Sequence, residues 1–484
     1  AIVARIAQIH LNLAIKSANC AADIGVLNAL CHRTNRLFLT NQAFRNRCQK
    51  SLWPVTEGVN VATVLNPQQF TYSRGYAWAL GLLIGIAVPV TYMGNLALAI
   101  AFGFAALLAA VAMANPSARQ QAKALAKTRV GTAALLTLLW WVGVAITSID
   151  PVSSIQVVSR MAVYIMAFIW VIVALAERPK ARQIAESSIM IGSAVLGTLA
   201  VIAVIVEPSL LHVFKPLHEG PIMAENMFKS LQSVLALTVP VLLYLAWQRR
   251  GVWIGVVSVA LICDIALFAG ITGQTAESAI GGMMGASLIL FLLFVARHLS
   301  RPGRVLLIIA TLGLCVALGV SVFQVLPHPP TTENDVSSPP LPVIDFHRQA
   351  IWGFVYQKAL DAPVTGYGIN TINKTKGALE MVPGLQHAEY VPGHPHNWIL
   401  EIWSETGIVG LVLFCITQLL LVIAVARKAL RGNGSAWIAC AVMASFWTSS
   451  LANFSIWASW WQVSFLCVLA LPVSQLLADR HKTQ

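Results

Sequence analysis

Runs of about 20 apolar residues recur from about position 75 onward, and they constrain the fold of this chain more than any other feature. A helix of about 20 residues crosses a hydrocarbon layer about 30 Å thick, so each run has the length of one membrane span. Residues 281–296 are apolar on every side of a helix, which suits a helix embedded in lipid. Since 57% of the 484 residues are hydrophobic and 11% are charged, the sequence predicts an all-α integral membrane protein.

Twelve spans are predicted from these runs, near residues 76–93, 95–114, 130–149, 155–176, 184–206, 231–247, 252–271, 277–296, 305–326, 407–426, 435–452 and 456–477. Lys and Arg concentrate in alternate inter-span loops, and membrane proteins keep such short basic loops in the cytoplasm. We therefore expect a multi-pass protein with both termini in the cytoplasm.

The chain divides into four predicted regions. Residues 1–74 form a basic cytoplasmic extension with no clear span and no signal-peptide pattern, and residues 75–326 contain spans one to nine. Residues 327–406 form one large outward loop, which begins with a Pro-rich stretch and has a helix-like pattern at 345–361. Residues 407–484 contain spans ten to twelve and a cytoplasmic tail. Loops as long as this one are usually functional or disordered.

Composition and motifs exclude several classes of function. The net charge of +13 does not indicate nucleic-acid binding, because the basic residues lie between spans. The eight cysteines include no Cys-x-x-Cys pair and five of them fall within predicted spans, so neither a disulfide framework nor a zinc site is expected. The sequence has no Asp-x-Asp motif, no phosphate-binding Gly-rich loop and no dinucleotide fingerprint. We expect no metal and no cofactor.

Polar residues with catalytic potential cluster at the end of the large loop, where HPHNWILEIWSETGIVGL runs into span ten. A histidine such as His396 can take a proton from an attacking hydroxyl at neutral pH, which is the task of a general base. Glu401 and Glu405 are one helical turn apart, on a face that could orient an imidazole or bind sugar hydroxyls.

This segment resembles the O-antigen ligase and polymerase superfamily. His396-Asn397, nine residues and then Gly407-x-x-Gly410 are similar to the His-Asn-x9-Gly-x-x-Gly signature of that superfamily. Its members also carry an Arg, a Trp, a Pro and a Gly-aromatic-Gly turn earlier in the loop. Residues of these types follow here in the same order: Arg348, Trp352, Pro363 and Gly366-Tyr367-Gly368.

The resemblance implies metal-independent transfer of a glycan from undecaprenyl diphosphate to an acceptor hydroxyl, on the periplasmic face of the bacterial inner membrane. His396 would activate the acceptor, and Arg348 would stabilise the leaving diphosphate by charge-assisted hydrogen bonds. The single outward loop of moderate size favours lipid A-core as the acceptor, as in an O-antigen ligase. A polysaccharide polymerase and a protein O-oligosaccharyltransferase remain open alternatives.

Further substrate-binding residues are expected around this pair: Lys229, Lys215, Arg160, Asn397, Glu401, Trp352 and Tyr367. Family members commonly carry more arginines in the outward loop after span five and near the start of span eight. This chain has Lys215 and Lys229 in the first place and Glu277 in the second. Arg160, inside span four, could supply the missing positive charge.

Each candidate also has a structural interpretation. Arg348 could pair with Asp345, Arg160 could pair with Asp150 or a neighbouring helix, and the two lysines could lie at the membrane interface. For Gly407 and Gly410 close helix packing is the favoured role. At the level of the whole chain, the rival hypothesis is a twelve-span transporter or flippase, but the sequence shows no internal repeat.

Overall fold

A computed structural model describes residues 73–214, 224–270, 277–325, 344–385 and 387–482. Most of the predicted N-terminal extension, Lys215 and the Pro-rich start of the large loop lie outside these ranges, and so does the side chain of Lys229. Within them the chain is almost wholly helical and forms no strand, apart from an isolated bridge between Met381 and Glu389.

The helices α1 to α7 are Arg74–Ala87, Asn95–Ala112, Pro116–Ala126, Arg129–Ile146, Pro151–Glu177, Pro179–Ile205 and Leu211–Phe214. The helices α8 to α11 are Ala224–Arg249, Val252–Gly270, Glu277–His298 and Arg301–Val325. The helices α12 to α15 are Phe346–Asp361, Trp398–Ala429, Gly434–Ser449 and Ser459–Lys482. Short 3-10 helices occupy Pro89–Met93, Pro208–Leu210 and Ile372–Lys374.

Every one of the twelve predicted spans coincides with a helix, which confirms the all-α membrane fold. In the part of the chain that the structure describes, nine helices are long and apolar enough to cross a membrane, and α1 and α9 are shorter apolar helices. The number of twelve spans therefore stays a prediction. At span ten, α13 extends from Trp398 to Ala429 with a break at Gly407, and its second part begins where the span is predicted to begin.

Local chemistry explains where several of these helices begin. The side chain of Asp150 accepts a hydrogen bond from the backbone nitrogen of Ser153, and Pro151 occupies the first turn of α5. Thr128 and Asn433 cap α4 and α14 in the same way. Such caps satisfy backbone donors that have no partner inside the helix.

Close backbone contacts hold the helices of the bundle together. Gly81 and Gly85 of α1 face Ala181 and Ala185 of α6, and a Cβ at either glycine would collide with the facing carbonyl oxygen. Small residues allow this approach in membrane bundles, where lipid supplies no hydrophobic driving force between helices. By contrast, α11 has no buried residue within its apolar window, as expected for a helix surrounded by lipid.

The described end of the large loop, residues 344–385 and 387–397, folds into a small unit that we call the loop subdomain. Its own apolar core joins α12 to the loop that follows, through Ile351, Trp352, Val355, Ile372 and Val391. Leu400 in the first turn of α13 belongs to the same cluster. The loop subdomain is therefore packed directly on the helix that follows the signature histidine.

Candidate active site

His396 lies at the end of the loop subdomain in a backbone conformation that histidine seldom adopts, with φ at +56°. Its Nδ1 atom is 2.9 Å from the carbonyl oxygen of Asn453. Because a carbonyl oxygen only accepts hydrogen bonds, Nδ1 must donate, and the neutral ring then carries its lone pair on Nε2. The geometry thus presents Nε2 as the basic atom.

Asn397, the second residue of the signature, caps α13. Its side-chain oxygen accepts hydrogen bonds from the backbone nitrogens of Ile399 (3.0 Å) and Leu400 (3.2 Å), and the residue is buried. The structure therefore gives Asn397 a role in starting the helix directly after His396. No contact described for Asn397 points to its predicted role in substrate binding.

Gly407 interrupts α13 with a left-handed backbone, at φ +69°. The chain around the Gly-Tyr-Gly turn passes against this break: Ile408 donates to the carbonyl of Pro363 (2.8 Å), Tyr367 to Ser404 (3.0 Å) and Gly368 to Glu405 (2.9 Å). A Cβ at Gly407 would collide with the carbonyl of Val364. The signature glycine therefore permits a close backbone approach, here between a loop and a helix.

The carboxyl groups of Glu401 and Glu405 are both buried, at 1% exposure, and both hold loops together. Glu405 accepts hydrogen bonds from the backbone nitrogens of Asn370, Thr371 and Ile372 and from the indole of Trp457. Glu401 accepts from the hydroxyl of Ser455 (2.5 Å) and the backbone nitrogen of Ile456 (2.8 Å). Neither group is exposed for sugar binding in this arrangement.

Trp352 connects α12 to the histidine segment. Its indole nitrogen donates to the carbonyl oxygen of Pro395 (2.9 Å), the residue before His396, and its ring is 5% exposed. Arg348 precedes Trp352 by one helical turn and so lies on the same face of α12. The structure thus brings Arg348 and His396 into one subdomain, with Trp352 as the link.

The guanidinium group of Arg348 is partly exposed, at 24%, and forms an ion pair with Glu277 at 3.8 Å. Asp345, the alternative partner considered from the sequence, instead caps α12 by accepting from the backbone nitrogens of His347 and Arg348. The carboxylate of Glu277 is 71% exposed. Arg348 is therefore accessible and held by a weak, solvated partner.

His394 packs beside His396, with the ring centroids 4.2 Å apart. Burial, with a smaller effect from the His396 ring, lowers the pKa of His394 to about 3. His394 is therefore neutral near pH 7 and adds no positive charge next to His396. Its Nε2 atom is buried without a hydrogen-bond partner.

Arg160 of α5 donates to the carbonyl oxygen of Trp457 (2.8 Å), while its Nε atom is buried without a partner. Asp150, its alternative partner from the sequence, pairs instead with Lys374 at 2.5 Å. The structure thus brings Arg160 next to residues 456–457, which Glu401 and Glu405 also contact.

The side chain of Tyr367 packs against the apolar core of the loop subdomain. Burial, with a smaller effect from Asp361, raises the pKa of Tyr367.

Sequence reasoning missed the turn between α14 and α15, residues 450–457, which we call the positioning turn. It supplies the carbonyl of Asn453 to His396, and it is the segment that Glu401, Glu405 and Arg160 contact. The one available signal was the dense run of small polar residues in SSLANFS at a predicted span end. Nothing in that run specifies a partner 57 residues away.

Comparison with known proteins supports the resemblance. Residues 262–415 match the family model described as O-Antigen ligase. The chain is 34% identical over 129 residues to a candidate polysaccharide ligase of Rickettsia conorii, and 30% identical over 127 residues to one of Rickettsia typhi. The matched segment is 26% of this chain in both cases, and it spans 30% and 31% of the two relatives.

Proposed function

Because residues 262–415 match the family model described as O-Antigen ligase, we propose that the protein transfers a glycan from a polyprenyl diphosphate to an acceptor hydroxyl. The observation that carries the proposal is the 2.9 Å contact between Nδ1 of His396 and the carbonyl oxygen of Asn453, from which we infer that Nδ1 donates and that Nε2 carries the lone pair. A base in that form can accept the proton of an attacking hydroxyl. The link through Trp352 to the helix of Arg348 supports a second charged group near the same reaction.

In the proposed reaction, the acceptor oxygen attacks the anomeric carbon of the donor sugar while Nε2 of His396 takes the hydroxyl proton. The bond between that carbon and the diphosphate oxygen breaks, and its electron pair leaves with the diphosphate. Negative charge therefore grows on the leaving group, and the permanently protonated Arg348 offers it paired N–H donors. The proton on His396 is later lost to solvent, which regenerates the base.

We propose undecaprenyl diphosphate as the donor carrier and the periplasmic face of the bacterial inner membrane as the place of reaction. Lipid A-core is the proposed acceptor, because the chain has a single outward loop of moderate size. A growing glycan and a protein hydroxyl are the alternative acceptors within the same family. Lys215 and Lys229 complete the proposed donor site.

The test is glycan transfer by the purified protein in lipid nanodiscs, with undecaprenyl diphosphate-linked glycan and each of the three acceptor classes in turn. We expect product with lipid A-core, and none when the donor carries a single phosphate. The Arg348→Ala variant should lower kcat strongly, because Arg348 stabilises charge that develops in the transition state, and should also raise the donor KM. Lys358→Ala is the matched control, since Lys358 is a cation on the same helix that pairs with Asp361. Absence of transfer to all three acceptors would refute the proposal.

A further inference from the structure

The positioning turn, residues 450–457, lies outside the segment that matches the O-antigen ligase family, which ends at residue 415. Two hydrogen bonds nevertheless join it to the signature residues. The backbone nitrogen of Trp398 donates to the carbonyl of Ser450 (3.1 Å), and Nδ1 of His396 donates to the carbonyl of Asn453 (2.9 Å). The proposed base His396 therefore has a hydrogen-bond partner in a segment that lies outside the family match.

Polar contacts from four helices, most of them buried, anchor the positioning turn. From α13, Glu401 accepts from Ser455 and Ile456, and from α5, Arg160 donates to the carbonyl of Trp457. The side chain of Asn453 donates to the hydroxyls of Ser233 on α8 (3.0 Å) and Ser449 on α14 (2.9 Å). Buried hydrogen bonds of this kind are costly to leave unmade, so the turn has one defined position.

Glu401 is the best placed of these anchors to control the histidine. It lies in the first turn of α13, directly after the capped signature, and its carboxyl group reaches the turn two and three residues beyond Asn453. The same side chain therefore fixes the distance between the helix that begins after His396 and the carbonyl that holds the His396 ring.

We propose that the positioning turn selects the Nδ1–H tautomer of His396, and that Glu401 is the positioning residue that holds the turn in place. The opposite tautomer would direct an N–H group, rather than a lone pair, at the acceptor, and an imidazole in that form cannot take the proton. The catalytic consequence rests on the proposed function, whereas the tautomer itself does not.

The tautomer is measured by nitrogen NMR of protein labelled with ¹⁵N-histidine in nanodiscs, with the His396→Ala variant to assign the signal. We expect the His396 signal of the wild type to show a protonated Nδ1. In Glu401→Ala this signal should shift toward the Nε2–H form that free histidine prefers. Glu380→Gln, at an exposed glutamate of the loop subdomain, should leave it unchanged. A wild-type ring with a protonated Nε2 would overturn the proposal.

Transfer kinetics provide the second readout. The turn holds the base and does not contact Arg348 in the described contacts, so Glu401→Ala should lower kcat about tenfold or more and leave the donor KM within about twofold. Ser455→Ala, which removes one of the two bonds to Glu401, should give a smaller loss of the same kind. An unchanged kcat and an unchanged tautomer in both variants would overturn the role of Glu401.

These measurements separate the two proposals. A protonated Nδ1 in a protein that transfers no glycan would support the positioning turn and refute the proposed function. Transfer that depends on His396, together with a protonated Nε2, would refute the positioning turn and Nε2 as the basic atom, and would leave glycan transfer itself supported. If Glu401→Ala fails to fold, Ser455→Ala carries the same two readouts with a milder change.

Discussion

The indole nitrogen of Trp352 donates a 2.9 Å hydrogen bond to the carbonyl oxygen of Pro395, and this bond joins the helix of Arg348 to the segment of His396. Both partners are buried, so the carbonyl has little water to replace a lost donor. The helix that carries Arg348 and the segment that carries His396 are thus joined by one buried hydrogen bond within the loop subdomain.

Replacing that tryptophan tests the link. Trp352→Phe keeps an aromatic ring in the core of the loop subdomain and removes the donor, which leaves the Pro395 carbonyl unsatisfied at a cost of about 1–3 kcal/mol. We expect a folded protein whose kcat falls roughly tenfold. Trp78→Phe, at a tryptophan that is 58% exposed, is the control and should transfer glycan at the wild-type rate. Equal rates for both variants would contradict the role of this bond.

Gly407 allows a direct test of the helix break. An alanine there would combine a strained left-handed backbone with a collision against the Val364 carbonyl, so Gly407→Ala should destabilise the protein by more than about 2 kcal/mol. Thermal unfolding in detergent measures the effect. Gly143→Ala is the matched control, because Gly143 lies within α4 and a Cβ there meets nothing within 4 Å. A Gly407 variant as stable as the control would mean that the break is not required.

The lowered pKa of His394 predicts a pH dependence of stability. The unfolded chain protonates His394 below about pH 6.5, whereas in the folded chain the pKa is about 3. Between these values the unfolded state binds more protons, so this residue makes stability fall as the pH decreases from about 6.5 toward 3. The slope is at most about 1.4 kcal/mol per pH unit.

Comparison of unfolding temperatures at pH 5 and pH 7.5 checks this prediction. In His394→Phe the loss of stability on acidification should be smaller than in the wild type, because the titrating group is gone while an aromatic ring still packs on His396. His387→Phe, at an exposed loop histidine, should keep the wild-type dependence. The same acid sensitivity in all three proteins would show that His394 titrates normally.

Glu277 is expected to weaken donor binding. Its carboxylate lies 3.8 Å from the guanidinium of Arg348, and the proposed diphosphate has to displace it. An exposed ion pair is worth about 0.2–1 kcal/mol, so Glu277→Gln should lower the donor KM by roughly 1.4- to 5-fold, with kcat unchanged. The effect should shrink as salt concentration rises. Glu380→Gln is the control, and a higher KM in the Glu277 variant would show that this residue instead orients Arg348.

Much of this arrangement is local in sequence and could be predicted. Apolar runs predicted every membrane helix, whereas the meeting of Arg348 and His396 at one reaction site stays a prediction. Asn397 also follows a known local preference, since asparagine before an apolar helix is a favoured cap, although the family signature predicts a binding role for it.

The hydrogen-bond partners within the candidate site depend on contacts between residues that are distant in sequence. The bond between His396 and Asn453 joins segments on either side of two helices, and no spacing pattern specifies which carbonyl a histidine will meet. The sequence predicts Glu401 and Glu405 on one helical face, but their partners in residues 370–372 and 455–457 follow from the packing of α13 against α12 and α14. Tertiary packing alone therefore decides that these carboxyl groups hold loops together.

The central claim is that His396 is the base of a glycan transfer. The most direct measurement is kcat for transfer from undecaprenyl diphosphate-linked glycan by His396→Ala, beside His387→Ala as the matched control. His387 has a similar left-handed backbone, at φ +62°, but is exposed elsewhere in the same subdomain. We predict a loss of about 100-fold or more in the His396 variant and the wild-type rate in the control. A His396 variant that transfers glycan as fast as the control would contradict the account.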